Sequence, residues 1–106
     1  MSEFDEMIAV CNKAIENDPN NADAYNGRGM VYLMSGQYDA AISDLTVLIE
    51  LEPENIGAYL TRGSAYLILD QYDEVISNSS RVIALDPSIA PAYNQRGIAY
   101  GSRCTF

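Results

Sequence analysis

One spacing constrains the fold of this chain more than any other feature: residue types recur every 34 positions. Prolines stand at Pro19, Pro53 and Pro87. Six further series keep the same step: Ala24, Ala58 and Ala92; Tyr25, Tyr59 and Tyr93; Arg28, Arg62 and Arg96; Gly29, Gly63 and Gly97; Tyr32, Tyr66 and Tyr100; and Phe4, Tyr38, Tyr72 and Phe106. Such a period is typical of proteins whose repeats bury their apolar faces against neighbouring repeats. The sequence therefore predicts a repeat architecture.

Apolar residues inside each period follow helical spacing. They advance by three or four positions and mark one face of an amphipathic helix, as in Tyr38, Ala41, Ile42, Leu45, Leu48 and Ile49. An acidic residue followed by proline ends each such helix, because proline restricts the residue before it and lacks an amide donor. We predict an all-α protein with six helices at 4–17, 21–35, 37–51, 55–69, 71–85 and 89–102.

The ends of these helices differ in the side chains available to cap them. Asn21 and Asn55 are expected to cap the second and fourth helices, whereas Ile89 at the matching place has no capping side chain. The segment 101–106 departs from the helical pattern, so we expect it to be frayed, and we assign no role to Cys104.

The repeated glycines stand in the middle of predicted helices. Glycine costs about 1 kcal/mol relative to alanine there, so a packing reason is needed. Close approach of the next helix would supply one. We expect that helix to lie against Gly29 at Ala41 and against Gly63 at Val75.

The repeated arginines suggest either an anion clamp or structural pairs, and we favour structural pairs. Arg28 and Asp44 fall on consecutive helices of one repeat, and Asn78 stands at the same place relative to Arg62. No residue stands at the matching place after Arg96. The sequence therefore predicts two interhelical pairs and one arginine without such a partner.

At these positions the chain resembles the tetratricopeptide repeat family. One copy of the motif comprises Ala24-Tyr25, Arg28-Gly29, Tyr32, Gly36, Tyr38, Ala41-Ile42, Asp44-Leu45 and Glu52-Pro53; a second comprises Ala58-Tyr59, Arg62-Gly63, Tyr66, Tyr72, Val75-Ile76 and Asp86-Pro87. The resemblance covers residues 4–102 and implies a right-handed α-α superhelix, or solenoid, of about three repeats of antiparallel helix pairs. It also implies a concave peptide-binding face and a scaffold rather than a catalyst.

In this family the first helix of each pair, here called first-type, lines the peptide-binding groove. Carried over by matching positions, the lining residues are Asp23, Asn26, Met30, Leu33, Met34, Leu60, Ser64, Leu67, Ile68, Asn94 and Ile98. Relatives that grip the carboxylate tails of heat-shock chaperones carry lysines, arginines and asparagines here, and only the two asparagines remain as candidates. We therefore expect an apolar or amphipathic segment of a partner protein, because methionines and leucines adapt to such segments.

The repeats begin out of phase, because a second-type helix comes first and a first-type helix comes last. Both ends of the array then expose apolar residues that a neighbouring helix would normally cover. These residues are Phe4, Met7, Ile8 and Cys11 at one end and Tyr93, Gly97 and Tyr100 at the other. Two interpretations stay open: the ends associate head-to-tail or by swapping into a homo-oligomer, or the chain is a fragment of a longer protein.

Composition narrows the function classes. The 106 residues fit a single domain over 1–106, and 15 acidic against 6 basic residues give a net charge of −9, which disfavours nucleic acid as a partner. Histidine is absent and the two cysteines form no ligand cluster, so we expect no enzyme activity, metal site or cofactor. The chain contains no apolar run of about 20 residues and no secretory signal, so we expect no membrane insertion and a cytoplasmic location.

Overall fold

A computed structural model describes residues 2–103, and these form six α-helices without a strand. The helices are α1 (Glu3–Asn17), α2 (Ala22–Met34), α3 (Tyr38–Leu51), α4 (Ile56–Ile68), α5 (Tyr72–Leu85) and α6 (Ala90–Arg103). The all-α prediction is confirmed, and every helix boundary lies within one residue of the predicted one. Along the described part of the chain, no helix is long and apolar enough to cross a bilayer.

Asparagine side chains begin two of the first-type helices, as predicted. The Oδ1 of Asn21 accepts a hydrogen bond from the Ala24 amide at 3.1 Å, and the Oδ1 of Asn55 accepts one from the Ala58 amide at 3.0 Å. Each bond satisfies an amide that has no partner within its own helix. The repeat therefore preserves the capping chemistry along with the spacing.

The start of α1 carries a capping box that the sequence analysis did not identify. The Asp5 amide donates to the Ser2 Oγ at 3.2 Å, and the Ser2 amide donates back to the Asp5 carboxylate at 3.4 Å. The reciprocal pair satisfies two otherwise free amides. The chain thus starts α1 with a defined cap.

The helices pack into two compact units, one that runs to Pro53 and one that begins at Glu54. In the first unit α2 packs against both α1 and α3. In the second unit α5 packs against α4 and α6, and α4 also contacts α6. The buried apolar side chains are Ala24, Val31, Ala41, Leu45 and Leu48 in the first unit and Ala58, Tyr59, Ala65, Val75, Val82, Ala92 and Ala99 in the second. The expectation of one domain over 1–106 stays a prediction.

The repeated glycines meet three different surroundings. A Cβ at Gly29 would lie 3.3 Å from the Leu45 side chain, so α3 does approach this helix closely. At Gly63 the nearest side chain is not the expected Val75 but Gln95 of α6, whose Oε1 would lie 2.5 Å from a Cβ. At Gly97 nothing described lies within 4 Å. Glycines at the same position of successive repeats therefore meet different neighbours.

The last helix extends one residue past its predicted end. Residues 101–103 continue α6 as helix rather than as a frayed segment. The Arg103 Nη1 lies 3.2 Å from the Asp73 Oδ1, and a cation in the last turn interacts favourably with the carbonyl end of a helix. Cys104 and Phe106 lie outside the described residues.

Candidate functional site

The first unit presents an apolar stripe on α2. Met30 and Met34 are 37% and 59% exposed, Leu33 is half-buried, and Asp23 and Asn26 are exposed. Residues three and four apart share one side of a helix, so these five side chains form a strip, here called the α2 face. Its chemistry is apolar with one carboxylate and no cation.

The second unit presents a related strip on α4. Its Ile68 is 53% exposed, while Leu60, Ser64 and Leu67 are half-buried. On α6, Ile98 is 47% exposed. Together with the exposed Asn94 of α6, these residues are here called the α4–α6 face. None of the residues predicted to line a groove is buried, so all of them remain accessible on their own unit.

Gln95 joins the two helices of the α4–α6 face, and the sequence analysis did not identify it. Its Nε2 donates to the Leu60 carbonyl at 3.0 Å and to the Ser64 Oγ at 3.2 Å. A signal was present in the repeat register, because Gly27 and Thr61 occupy the matching places and a long amide replaces them only here. Gln95 fits into the space that Gly63 leaves open.

Arg28 ties three helices of the first unit together. Its Nη2 and Nε donate to the two carboxylate oxygens of Asp44 at 2.6 and 2.8 Å, which confirms the predicted pair, and its Nη1 donates to Asn12 on α1 at 2.8 Å. The guanidinium also lies 5.8 and 5.9 Å from the ring centres of Tyr25 and Tyr32. The hydrogen bond to Asp44 raises the pKa of Arg28. These contacts favour a structural role over an anion clamp.

Arg62 repeats this arrangement in the second unit with a neutral acceptor. Its Nη2 and Nε donate to the Oδ1 of Asn78 at 2.6 and 3.1 Å, which confirms the second predicted pair. The guanidinium lies 5.7 Å from the ring centres of both Tyr59 and Tyr66. The same stack of tyrosine, arginine and tyrosine thus recurs with an amide in place of a carboxylate.

Within the described residues, Arg96 keeps one ring contact of this arrangement. Its guanidinium lies 5.6 Å from the ring centre of Tyr93. Among residues 2–103, no hydrogen bond or ion pair reaches this guanidinium. Tyr93 and Tyr100 are 44% and 47% exposed, and the surface beside Gly97 is open to the 4 Å limit. These four residues of one helix are here called the α6 outer face.

The predicted association residues on α1 divide into two groups. Phe4 and Met7 are 36% and 39% exposed, while Ile8 and Cys11 are half-buried. The Cys11 Sγ would lie 3.4 Å from a Cβ at Gly27, so this thiol faces α2 within its own unit. Phe4 and Met7 are therefore the accessible members of the set.

Val10, which the sequence analysis did not single out, is the most exposed large apolar residue described, at 71%. It stands 34 positions before Asp44, so it occupies the place where the repeats carry the acceptor for an arginine. The α1 helix thus resembles α3 and α5 in its apolar pattern and differs from them at this acceptor position.

Nothing in the described range gathers three or more histidine, cysteine, aspartate or glutamate side chains into a potential metal site. The side chains of the α2 face and the α4–α6 face offer apolar contact and hydrogen bonding, which are the contacts that a binding surface makes.

Comparisons with known proteins identify the repeat. Two family models described as tetratricopeptide repeat match residues 10–43 and residues 56–89. No curated protein sequence matches the chain significantly. The two family models together cover nearly two thirds of the sequence, and each match spans 34 residues, the length of one repeat.

Solved structures give the same result for the fold. The chain is similar to the first TPR of Spaghetti (RPAP3) bound to the HSP90 peptide SRMEEVD, with a TM-score of 0.89 and 25% identity over 97% of this chain and 82% of that one. It is similar to MamA, with a TM-score of 0.89 and 32% identity over 95% of this chain and 59% of MamA. It also resembles the second TPR domain of human RPAP3 in complex with the HSP70 peptide SGPTIEEVD, with a TM-score of 0.84 and 26% identity over 92% and 82% of the two chains. The predicted all-α helical-repeat solenoid is confirmed.

Proposed function

Because the chain belongs to the tetratricopeptide repeat family, we propose that it is a non-catalytic protein-interaction module whose first-type helices bind an apolar segment of a partner protein. Two of the similar structures hold chaperone peptides, which supports peptide binding as the type of activity. Each unit contributes its own proposed site, the α2 face in the first unit and the α4–α6 face in the second. A cytoplasmic location is part of the same proposal.

One observation carries this proposal: large apolar side chains are exposed at matching places of successive repeats. Met34 and Ile68 stand 34 positions apart and are 59% and 53% exposed, and Met30 and Ile98 are 37% and 47% exposed. Covering a large apolar side chain contributes about 1.5–3 kcal/mol. Each face thus carries two such side chains, which a short segment can cover while its own apolar residues become buried.

The charge of the chain defines the kind of segment. The peptide SRMEEVD carries three acidic side chains in addition to its terminal carboxylate, and a net charge of −9 repels such a tail. The α2 face and the α4–α6 face contribute one carboxylate, Asp23, and no cation. We therefore propose an amphipathic partner segment with basic flanks, which differs from the chaperone tails of the similar structures.

The experiment compares two fluorescent probes on the full chain by anisotropy. One is an 18-residue amphipathic peptide (length about that of five helical turns) with leucines on one side and lysines on the other; the second is SRMEEVD. The basic amphipathic probe is expected to bind at least about tenfold more tightly. Equal affinity, or tighter binding of SRMEEVD, would contradict the proposed segment chemistry.

Variants then locate the site. Met34→Asp and Ile68→Asp are expected to weaken the amphipathic probe by about tenfold each, because each places a carboxylate in an apolar contact. Ser43→Asp and Ser77→Asp are matched controls, since both serines are exposed on second-type helices and the change adds the same charge. Weakening by the control variants alone would place binding on the opposite surfaces.

Self-assembly is a second candidate, favoured by the exposure of Phe4, Met7, Tyr93 and Tyr100. Head-to-tail association would set α1 of one copy against the α6 outer face of the next. The repeat register then brings Val10 opposite Arg96, where Asp44 stands opposite Arg28. A valine offers no acceptor to a guanidinium, so this contact is less favourable than the pairs within the chain.

A further inference from the structure

We propose that the α6 outer face is a second binding surface, and that it binds an α-helix of a partner protein that presents a carboxylate to Arg96 and a leucine-sized side chain over Gly97. This surface differs from the α2 face and the α4–α6 face, so the inference goes beyond the function proposed above. We draw this inference from the first unit, where the matching surface of α2 is covered by α3. This contact of α2 with α3 serves as a template for the α6 outer face.

The template is the contact between α2 and α3. There Arg28 binds Asp44 through two hydrogen bonds, and the Leu45 side chain lies 3.3 Å from the position of a Cβ on Gly29. Asp44 and Leu45 are both buried in this contact. The covering helix therefore contributes an acceptor and an adjacent large apolar residue.

The α6 outer face reproduces the receiving half of that contact. Arg96 lies over Tyr93 at 5.6 Å, close to the 5.8 Å between Arg28 and Tyr25, so the guanidinium is already oriented by its stack. Because no described residue accepts from it, its donors are available to a carboxylate. The face is preorganised for a partner that supplies the missing half.

Space and exposure agree with this assignment. Apart from its chain neighbours and the adjacent backbone of α6, no described atom would come within 4 Å of a Cβ at Gly97, whereas Gly29 is closely covered. Tyr93 is 44% exposed, whereas Tyr59 at the matching place of α4, which α5 covers, is 7% exposed. A helix laid across this surface would cover Tyr93 and Tyr100, whereas Tyr25 and Tyr59 at the places matching Tyr93 are half-buried and buried.

The acceptor position specifies the partner. In this chain the second-type helices carry Asp44 or Asn78 there, while α1 carries Val10. The surface should therefore prefer a helix with an acidic residue followed by a leucine over one with a valine at the acceptor position. A charge-assisted bond to Arg96 supplies that preference.

The test uses a fluorescent peptide with the sequence of Tyr38–Leu51 as the probe and the full chain as the receptor. We expect saturable binding that Arg96→Ala weakens by about tenfold. A probe with the D44A change should lose affinity for the unaltered chain by a similar factor and lose little further on the Arg96→Ala chain. Arg96→Glu paired with a D44R probe should regain binding. A probe with the sequence of Glu3–Asn17 should bind more weakly than the Tyr38–Leu51 probe.

Two further variants keep the outcome interpretable. Gly97→Leu favours the helix and fills the space beside Arg96, so it should block the probe while circular dichroism shows unchanged helicity. Ser77→Asp serves as the charge control on an exposed position of α5. Equal binding to the unaltered and Arg96→Ala chains, equal binding of the D44A probe, or no saturable binding would each overturn the inference. Binding of the basic amphipathic probe is measured on the same proteins. That probe reports on the proposed function, whereas the Tyr38–Leu51 probe reports on the α6 outer face, so the two hypotheses can fail separately.

Discussion

The guanidinium of Arg28 on α2 and the carboxylate of Asp44 on α3 share two hydrogen bonds, at 2.6 Å from Nη2 to Oδ1 and 2.8 Å from Nε to Oδ2. Asp44 is only 4% exposed, while the Arg28 side chain retains 22% exposure. The pair thus fastens two helices of one repeat at a largely buried point.

Asp44→Ala is expected to lower the free energy of unfolding by about 2–4 kcal/mol, because it leaves the Arg28 donors without their buried acceptor. Urea unfolding followed by circular dichroism measures the change. Asp44→Asn is the matched control and should cost clearly less, since Asn78 accepts from Arg62 through its amide oxygen at the equivalent place. Equal losses for the two variants would show that packing, rather than the acceptor, stabilises this contact.

Gly63 and Gln95 should behave as a coupled pair. A Cβ at Gly63 would lie 2.5 Å from the Gln95 Oε1, so Gly63→Ala must displace an amide that bonds to Leu60 and Ser64. In a Gln95→Ala background the same change gains about 1 kcal/mol of helix propensity without that displacement. A double-mutant cycle of unfolding free energies should therefore give a coupling of about 1 kcal/mol or more. Additive effects would contradict the contact.

Asp70→Gly is expected to stabilise the chain by about 0.5 kcal/mol. Asp70 adopts a left-handed φ of 58°, and the matching residue of the preceding repeat, Gly36, has a φ of 82°. Glycine adopts a left-handed φ without steric cost, which gains about 1 kcal/mol. The variant also loses the hydrogen bond from the Tyr72 hydroxyl to Asp70, but this bond is exposed and contributes less.

The same variant has a second readout at Tyr72. Its hydrogen bond to Asp70 raises the pKa of Tyr72, so the pKa should fall toward its ordinary value when Asp70 is replaced. The raised pKa contributes stability below about pH 10 that is lost as the pH rises through the folded-state value. An unchanged tyrosine titration, followed by ultraviolet absorbance, would contradict the bond.

Val10→Asp is expected to promote self-association. The change gives α1 the acceptor that Asp44 provides to α3, so α1 of one copy gains a partner for Arg96 of another. Light scattering coupled to size exclusion should show dimerisation strengthened by about tenfold relative to the unaltered chain. Val10→Ser is the control for lost apolar surface, and addition of Arg96→Ala should cancel the gain. Association that persists without Arg96 would point to a different contact.

The sequence predicted the parts of this structure that depend on spacing alone. The 34-residue register placed Arg28 against Asp44 and Asn21 at a helix start, because each involves a fixed offset within one repeat. Gln95 could not be predicted in the same way, since its bonds to α4 depend on how closely two first-type helices approach. The third bond of Arg28, to Asn12, likewise depends on the position of α1.

The candidate binding faces were also predicted only in part. The register identified which side chains of α2, α4 and α6 share a side, and the structure gives their exposure. The register did not reveal that Arg96 keeps one of the two ring contacts of its repeat while the space beside Gly97 stays open. That difference arises from which helix covers which surface, a tertiary property that no single-repeat pattern contains.

Amide-resolved nuclear magnetic resonance can locate the binding of an apolar partner segment on the first-type helices residue by residue. The basic amphipathic probe is titrated into isotope-labelled chain, and shifts are mapped onto the helices. We expect saturable changes around Met30 and Met34 of α2 and around Ile68 and Ile98 of α4 and α6, with α3 and α5 little affected. Changes confined to the exposed sides of α3 and α5, or no saturable changes, would contradict the proposed binding.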